Sequence, residues 1–218
     1  MALSSYAIFG DVSDAYGVLG ISGDAPESQK SFIEDCINAA TEDLEQLLNR
    51  NLISRAYTDE SHTIESELQY DREGREYNIA PTILYLRHYP ITAITSIKFD
   101  NVALTDITEG ETTGIWWSAS DLANSGRLVY ESGWPCGERR IKINYTAGYT
   151  VANLPYIYRR VGNELIQWHY SKSGYGDKSL QMAQIQGTIS PGTGNFRTHD
   201  EMMTYFGKQL TPYRSING

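Results

Sequence analysis

The amino-acid sequence predicts an α+β fold: a small helical bundle with an inserted antiparallel β module and an extended C-terminal arm. Apolar residues repeat with a helical period over 26–51 and again over 154–168. Between them, residues 52–149 consist of short segments rich in β-branched and aromatic residues, separated by turns. A period near 3.6 indicates an amphipathic helix, and short β-rich segments between turns indicate strands.

The first long helix is predicted over 26–51, with a shorter helix near Val12–Leu19 ahead of it. Asp24, followed three residues later by Glu27 with Pro26 between them, predicts an N-terminal cap. The helix has one apolar stripe, formed by Ile33, Ile37, Ala40, Leu44 and Leu47 and widened by Phe32, Cys36 and Leu48. Its opposite face is acidic and carries Glu34, Asp35, Glu42, Asp43 and Glu45.

Four segments predict strands in the β module: 82–90, 94–104, 126–133 and 139–149. The sequence FDNV predicts a tight hairpin inside the second segment, and ESGWPCGERR predicts a longer hairpin between the last two. Because no helical pattern separates successive strands, the pairing is predicted to be antiparallel.

Helical spacing returns in an apolar stripe of Leu154, Ile157, Val161, Leu165 and Trp168. Gly162 lies inside this helix, where glycine costs about 1 kcal/mol relative to alanine, so close packing of another element is predicted there. A last short helix is predicted over 201–210. The predicted organisation is one structural domain in four parts: the N-terminal helical part (1–51), the β module (52–149), the second bundle helix (150–172) and the arm with the C-terminal segment (173–218).

The charge is uneven along the chain. The formal net charge is −9, and residues 1–75 carry 15 acidic and 5 basic side chains against 12 and 13 in residues 76–218. Because nucleic-acid affinity comes largely from clustered Lys and Arg, this balance disfavours a phosphate-binding surface. A solvated acidic helix face is the plain interpretation.

No motif predicts a catalytic, cofactor-binding or metal-binding residue. The four histidines, which lack an i, i+4 pair, are His62, His88, His169 and His199. Cys36 and Cys136 are predicted to be idle thiols. Asp177 precedes Lys178 where a phosphate loop has glycine, and no Gly-x-Ser-x-Gly elbow occurs. We therefore predict that the protein is not an enzyme, and we see no signal peptide and no membrane-spanning segment.

Four stretches follow one another in an order that resembles the head–tail connector (adaptor) proteins of tailed bacteriophages. They are YGVLGISG…YTDE (16–60), LYLRHYPITAITSIKFDNVAL (84–104), RLVYESG…YTAGY running into NLPYIYRRVGNELIQW (127–168), and the terminal LTPYR (210–214). The resemblance lies in their order and spacing, since no single motif is specific. Residues 173–209 depart from it, because the family has a shorter link there.

The resemblance implies a non-enzymatic virion protein of the neck, present in the host cytoplasm during assembly. It implies a ring of about twelve copies, which requires head-to-tail subunit contacts that close on themselves. The implied partners are the portal protein, the stopper or another tail protein, further copies of the same chain, and double-stranded DNA that passes without specific binding. No cofactor and no membrane are implied.

The resemblance also gives candidate residues. A negative channel wall would repel the DNA backbone, and the candidate lining residues are Glu34, Asp35, Glu42 and Asp43. The candidates for a contact with the acidic helix of a neighbouring subunit are Arg159 and Arg160. The candidates for portal binding are Leu210, Pro212, Tyr213 and Arg214.

Three alternatives remain open at the sequence level. Trp116, Trp117 and Trp134, together with 16 tyrosines, allow a carbohydrate- or receptor-binding β module, although conspicuous helices at both ends disfavour it. A different neck component, such as a stopper or tail-completion protein, is a nearer alternative. An enzyme with a dispersed site has no motif in its favour.

Overall fold

The structure is a computed structural model that describes residues 3–5, 7–70, 76–105, 107–109, 114–117, 126–172 and 198–213. The chain divides into two compact units. The helical unit is formed within Met1–Ile53 and Tyr149–Ser215, and the sheet unit is formed by Ser54–Gly148. The predicted α+β class, with helices and antiparallel sheets, is confirmed.

The described part of the helical unit contains four α-helices and two short 3-10 turns. In chain order they are a 3-10 turn Val12–Ala15, α1 Tyr16–Leu19, α2 Glu27–Leu48, α3 Tyr156–Ser171, α4 His199–Leu210 and a 3-10 turn Thr211–Tyr213. The last helix begins two residues before its predicted start. The predicted arm falls largely on residues 173–197, which lie outside the described residues.

The ends of α2 are set by backbone geometry. Pro26 occupies the N-cap position with φ −57° and ψ 149°, and no side chain caps the helix there. The predicted cap by Asp24 is wrong, because its carboxylate pairs with Lys30 Nζ at 3.2 Å instead. At the other end, Asn49 adopts a left-handed conformation, φ 53°, and its N–H donates to the Gln46 and Glu45 carbonyls.

The predicted apolar stripes form the core of the helical unit. The buried members on α2 and α3 are Ile33, Cys36, Ile37, Ala40, Leu44, Leu47, Leu48, Tyr158, Val161, Leu165, Ile166 and Trp168. The close packing predicted at Gly162 is confirmed: a Cβ at this position would collide with Ile8 Cδ1 and would lie 4.0 Å from Leu44 Cδ2. Glycine therefore lets the N-terminal segment and α2 approach the α3 backbone.

Helix α4 is bound to this core by its own stripe. Met202, Phe206 and Leu210 follow an i, i+4, i+8 spacing and are all fully buried. The Thr198 side chain accepts a hydrogen bond from the Glu201 N–H at 3.2 Å and caps the helix.

Three sheets form from the described residues of the sheet unit. A four-stranded sheet has the order β1 Arg55–Ile64, β10 Gly137–Ala147, β5 Ile91–Phe99, β6 Val102–Leu104. A second has the order β4 Ile83–Tyr85, β9 Arg127–Tyr130, β8 Ile115–Trp117, β7 Ile107–Glu109. A two-stranded sheet pairs β2 Glu67–Tyr70 with β3 Glu76–Ile79.

The tight hairpin predicted at FDNV is confirmed. It joins β5 to β6 through Asp100 and Asn101, whose φ values of 48° and 67° are the left-handed values that a two-residue turn needs.

Two pairing predictions are wrong. The strands β9 and β10 lie in different sheets and do not form a hairpin. The connection turns away at Trp134, which is fully buried and whose backbone N–H donates to the Pro81 carbonyl at 2.8 Å. In addition, β7 pairs with β8 in a parallel sense, with Ile107 opposite Ile115, whereas the other strand pairs within the described residues are antiparallel.

Leu44 provides a test of the helical core. Leu44→Ala should lower the free energy of unfolding by about 2–5 kcal/mol, because it removes a fully buried side chain and leaves a cavity. Gln46→Ala, at an exposed position two residues later, should change it by less than about 0.5 kcal/mol. Urea unfolding followed by the helical circular-dichroism signal measures both values, and equal effects of the two substitutions would contradict this packing.

Candidate functional site

The surface of α2 retains part of the predicted acidic face. Asp35 and Glu42 are exposed and Glu34 is partly exposed. Glu45 serves the fold instead, because its Oε1 accepts the Leu52 backbone N–H at 2.8 Å. We use the name acidic face for Glu34, Asp35 and Glu42.

Asp43 does not belong to this face, and its predicted channel-lining position is corrected. Only 8% of the residue is exposed. Its carboxylate lies between two histidines, with Oδ2 at 2.8 Å from His169 Nε2 and Oδ1 at 3.0 Å from His199 Nε2. An ionised carboxylate only accepts hydrogen bonds, so both imidazoles donate to it. One side chain of α2 thereby joins α3 and the first residue of α4.

The electrostatics of this cluster favour the charged carboxylate. Burial by itself raises the pKa of Asp43. The hydrogen bonds and positive charges of His169 and His199 together lower it by more, so the pKa lies below its ordinary value. The Trp168 ring lies edge-on to His169, with centroids 5.0 Å apart, and 5.7 Å from His199. Within the described residues no group of three or more His, Cys, Asp and Glu is arranged to hold a metal ion. The arrangement is a structural clasp, and we call it the Asp43 clasp.

The sequence contained a signal for this buried acid. Asp43 follows Cys36 and Ala40 and precedes Leu47 at i, i+4, i+7, i+11 spacing, which is one helix stripe. An acid within an apolar stripe needs a buried partner, because an unpaired charge is costly to bury. One such partner, His169, is 126 residues away in the sequence, so the local spacing of residues cannot identify it.

The predicted inter-subunit arginines lie on the surface of α3. Arg159 Nη2 donates to the Val151 carbonyl at 3.0 Å, and Arg160 Nη2 donates to Gln209 Oε1 at 2.7 Å. Arg160 Nε is also 4.0 Å from Glu164 Oε1, one turn along the same helix. Both guanidinium groups are exposed, as a contact with another chain requires.

The predicted portal-binding residues separate into two groups. Leu210 is fully buried in the helical core, so its predicted role as a contact residue is corrected. Pro212 is exposed, and Tyr213 is 43% exposed with its ring edge-on to Tyr158 at 5.9 Å between centroids. Arg214 lies outside the described residues.

The strand-to-helix junction after β10 is held by a buried arginine. Gly148 takes φ 112°, and its N–H donates to the Pro90 carbonyl within the sheet unit. In the helical unit, Arg50 Nη2 donates to the Tyr158 hydroxyl at 2.9 Å, and the guanidinium lies 6.0 Å from the Tyr149 ring centroid. These contacts give the junction a structural role.

The tryptophans of the sheet unit do not form an exposed platform for a sugar. Trp134 is fully buried and Trp117 is 5% exposed. Trp116 is partly buried, and the Arg127 guanidinium lies 5.9 Å from its ring centroid. The alternative of a carbohydrate-binding β module therefore loses the support of its tryptophans and rests on the tyrosines alone.

Both cysteines are free thiols, as predicted. Burial raises the pKa of the Cys36 thiol to about 12, and the charge of Asp35 adds to the shift, so the thiol is inert at neutral pH. Within the described residues, no helix is both long and apolar enough to cross a membrane.

Comparisons with known proteins give limited matches. No protein-family model matches the sequence, and no curated protein matches it. A chain in the neck of an empty GTA particle computed with C6 symmetry is similar, with 15% identity over 87% of this chain and 93% of that chain and a TM-score of 0.46. A chain in the virion of a native gene transfer agent (GTA) particle is similar with 15% identity, coverage of 100% and 94%, and a TM-score of 0.48. At this identity and these scores, the similarity carries no argument about function.

Removal of the central carboxylate tests the Asp43 clasp. Asp43→Ala should lower the free energy of unfolding at pH 7 by about 1–3 kcal/mol, because two charge-assisted hydrogen bonds are lost. Glu42→Ala is the matched control at an exposed acid of the same helix and should have little effect.

The lowered pKa of Asp43 makes the stability difference between wild type and Asp43→Ala depend on pH. Because the pKa of Asp43 in the folded protein lies below its ordinary value, its contribution to stability is fully present above that ordinary value and is lost as the pH falls through the folded pKa. The stability difference between wild type and Asp43→Ala, measured by urea unfolding, should therefore shrink below about pH 4. A difference that stays constant in acid would contradict the role of the carboxylate.

Proposed function

We propose that the protein is a structural component of the neck of a phage-like particle and acts there as the head–tail adaptor. The observation that carries the proposal is the order of sequence stretches that resembles this family. In the structure these stretches form a helical unit with the sheet unit inserted between α2 and α3. In the proposal the helical unit is the body of the adaptor, and the inserted sheet unit contacts another protein.

The proposed adaptor works as a closed ring. Each copy contacts the next through two different patches, and head-to-tail contacts of this kind produce a ring when the rotation closes. In the proposal the ring docks beneath the portal, continues the DNA channel and presents a platform to the stopper or tail protein. The role is structural and involves no cofactor. The protein is proposed to reside in the virion neck and, before assembly, in the host cytoplasm.

The acidic face is the proposed channel lining. The DNA backbone carries one negative charge per about 1.7 Å of duplex, so clustered cations would bind it and slow its passage. Glu34, Asp35 and Glu42 instead present carboxylates on one solvent-facing part of α2. A surface of this sign keeps the duplex moving. Asp43 contributes to the fold and not to the lining.

The C-terminal segment is the proposed portal contact. Leu210 anchors α4 in the core, and Tyr213 packs on Tyr158, so the segment up to Tyr213 is held on the helical unit. Pro212 and Tyr213 are exposed there, and Arg214 follows them in the sequence. In the proposal these three residues contact the portal.

Particles made without this chain test the proposed function. An adaptor is required to join two preformed parts, so its loss should leave DNA-filled heads and separate tails in electron micrographs. A gold label on the chain in intact particles should mark the neck. A label at the capsid surface or at the distal tail, or normal particles without the chain, would refute the proposal. Heads that keep a neck ring but do not retain their DNA would favour the alternative that the protein is a stopper.

Charge reversal tests the channel lining. The change Glu34→Lys should reduce DNA release from particles that retain the neck ring, because lysine binds phosphate. The control is the same change of charge at an exposed acid of the sheet unit, Glu131→Lys. Unchanged release in the first variant would remove Glu34 from the channel.

A further inference from the structure

An exposed aromatic side chain stands at the start of α3. Tyr156 is 79% exposed, more than any other large hydrophobic residue that the structure describes. Arg159 and Arg160 lie one turn further on and therefore on the same face of the helix. Tyrosine and arginine are the residue types most enriched at the energetic centres of protein interfaces. We call these three residues the tyrosine knob.

A hollow of complementary character lies elsewhere on the helical unit. It has a volume of about 330 Å³. Phe32, Cys36 and Ala39 of α2 form its apolar wall, and Asp35 stands beside them. His169 and Lys172 of α3 line the opposite side. The Lys172 ammonium lies 5.5 Å from the Trp168 ring centroid. We call this cavity the α2 hollow.

We propose that the tyrosine knob of one copy docks in the α2 hollow of a second copy. The Tyr156 ring fills the apolar cavity, and Arg159 and Arg160 pair with Asp35 and Glu42 of the partner copy. Charge complementarity selects this occupant. The knob carries two exposed cations, which an acidic surface attracts. Asp35 lines the α2 wall of the hollow, Glu42 is exposed two turns further along α2, and Lys172 lines the α3 wall. The docked helix is therefore oriented with its arginines towards α2.

The spacing of the charges agrees with this pairing. Asp35 and Glu42 are seven residues apart, about 10 Å along the helix axis and within about 20° of each other around it. Two adjacent long arginine side chains can reach both. Glu34 lies about 80–100° away around α2. The inference therefore assigns Asp35 and Glu42 to the subunit boundary and leaves Glu34 on the side proposed for the channel.

The contact has the symmetry that a ring requires. The tyrosine knob and the α2 hollow are different patches of one helical unit, so each copy can use both at once with two neighbours. In an isologous dimer, by contrast, the two copies would cover each other's patches and leave none for a third copy. The inference rests on the proposed ring for its biological role, but its physical content is self-association through these two patches.

Photo-cross-linking between differently labelled copies tests the contact. A photoreactive p-benzoylphenylalanine replaces Tyr156, and ¹⁵N-labelled and unlabelled protein are mixed at high concentration and, separately, co-assembled into particles. Cross-links that join a heavy copy to a light copy should map to residues 32–39. The matched control places the same group at Tyr205, an exposed aromatic of α4, and should not label that segment.

The outcomes separate this inference from the proposed function. Heavy–light cross-links at residues 32–39 support the contact even if the protein is absent from the neck, in which case the proposed function fails alone. Cross-links only within one copy would show that another part of the same chain fills the hollow and would overturn the inference. Cross-links to a different protein, or to another segment of the second copy, would overturn it as well, while a labelled neck ring would leave the proposed function in place.

Charge exchange provides a quantitative check. Tyr156→Ala should weaken self-association about 30-fold, which corresponds to the loss of an interface hot spot. Arg159→Glu with Arg160→Glu should weaken it comparably, and adding Asp35→Arg with Glu42→Arg in the same chain should restore it. Sedimentation at matched protein concentration measures each value. A double exchange that restores nothing, or an association that is indifferent to Tyr156→Ala, contradicts the contact.

Discussion

The helical unit depends on a buried carboxylate shared by two imidazoles. Asp43 projects from α2 into the core boundary, where His169 of α3 and His199 of α4 both donate to it. The apolar stripes provide the driving force for packing, but they are non-directional. The paired hydrogen bonds add direction: they fix which part of α2 lies beside the end of α3 and where α4 begins. The tyrosine knob, the α2 hollow and the C-terminal segment are all carried by helices that this clasp positions.

The two halves of the functional proposal follow from how side chains divide around α2. Residues outside the apolar stripe of α2 stay in solvent, and Glu34, Asp35 and Glu42 give that surface a negative charge. Residues at the edge of the stripe, Phe32 and Cys36, form the apolar wall of a hollow next to that surface. A single helix thus offers a face that repels DNA and a pocket suited to a cationic, aromatic partner.

Local patterns predicted the helices well, and long-range contacts account for most of what they missed. The stripes of α2 and α3, the short last helix, and the close approach at Gly162 each arise from periodicity or from one residue type, so the sequence reveals them. The charge of Asp43 predicts an exposed position, whereas its spacing within the Cys36–Leu47 stripe indicates a buried one. Its partners, and the separation of β9 from β10, depend on residues distant in the chain. The terminal position of Leu210 suggests a contact residue, whereas its i+4 spacing from Phe206 matches the core.

In the proposed neck ring, the helical unit is the body and neighbouring copies are joined through α2 and α3. A cryo-electron-microscopy map of the neck of particles that contain this chain, resolved to side chains, measures this directly. The expected result is a closed ring beneath the portal in which Tyr156 of each copy lies against Phe32, Cys36 and Ala39 of the next. A map in which the chain lies outside the neck, or in which neighbouring copies meet only through their sheet units, would contradict it.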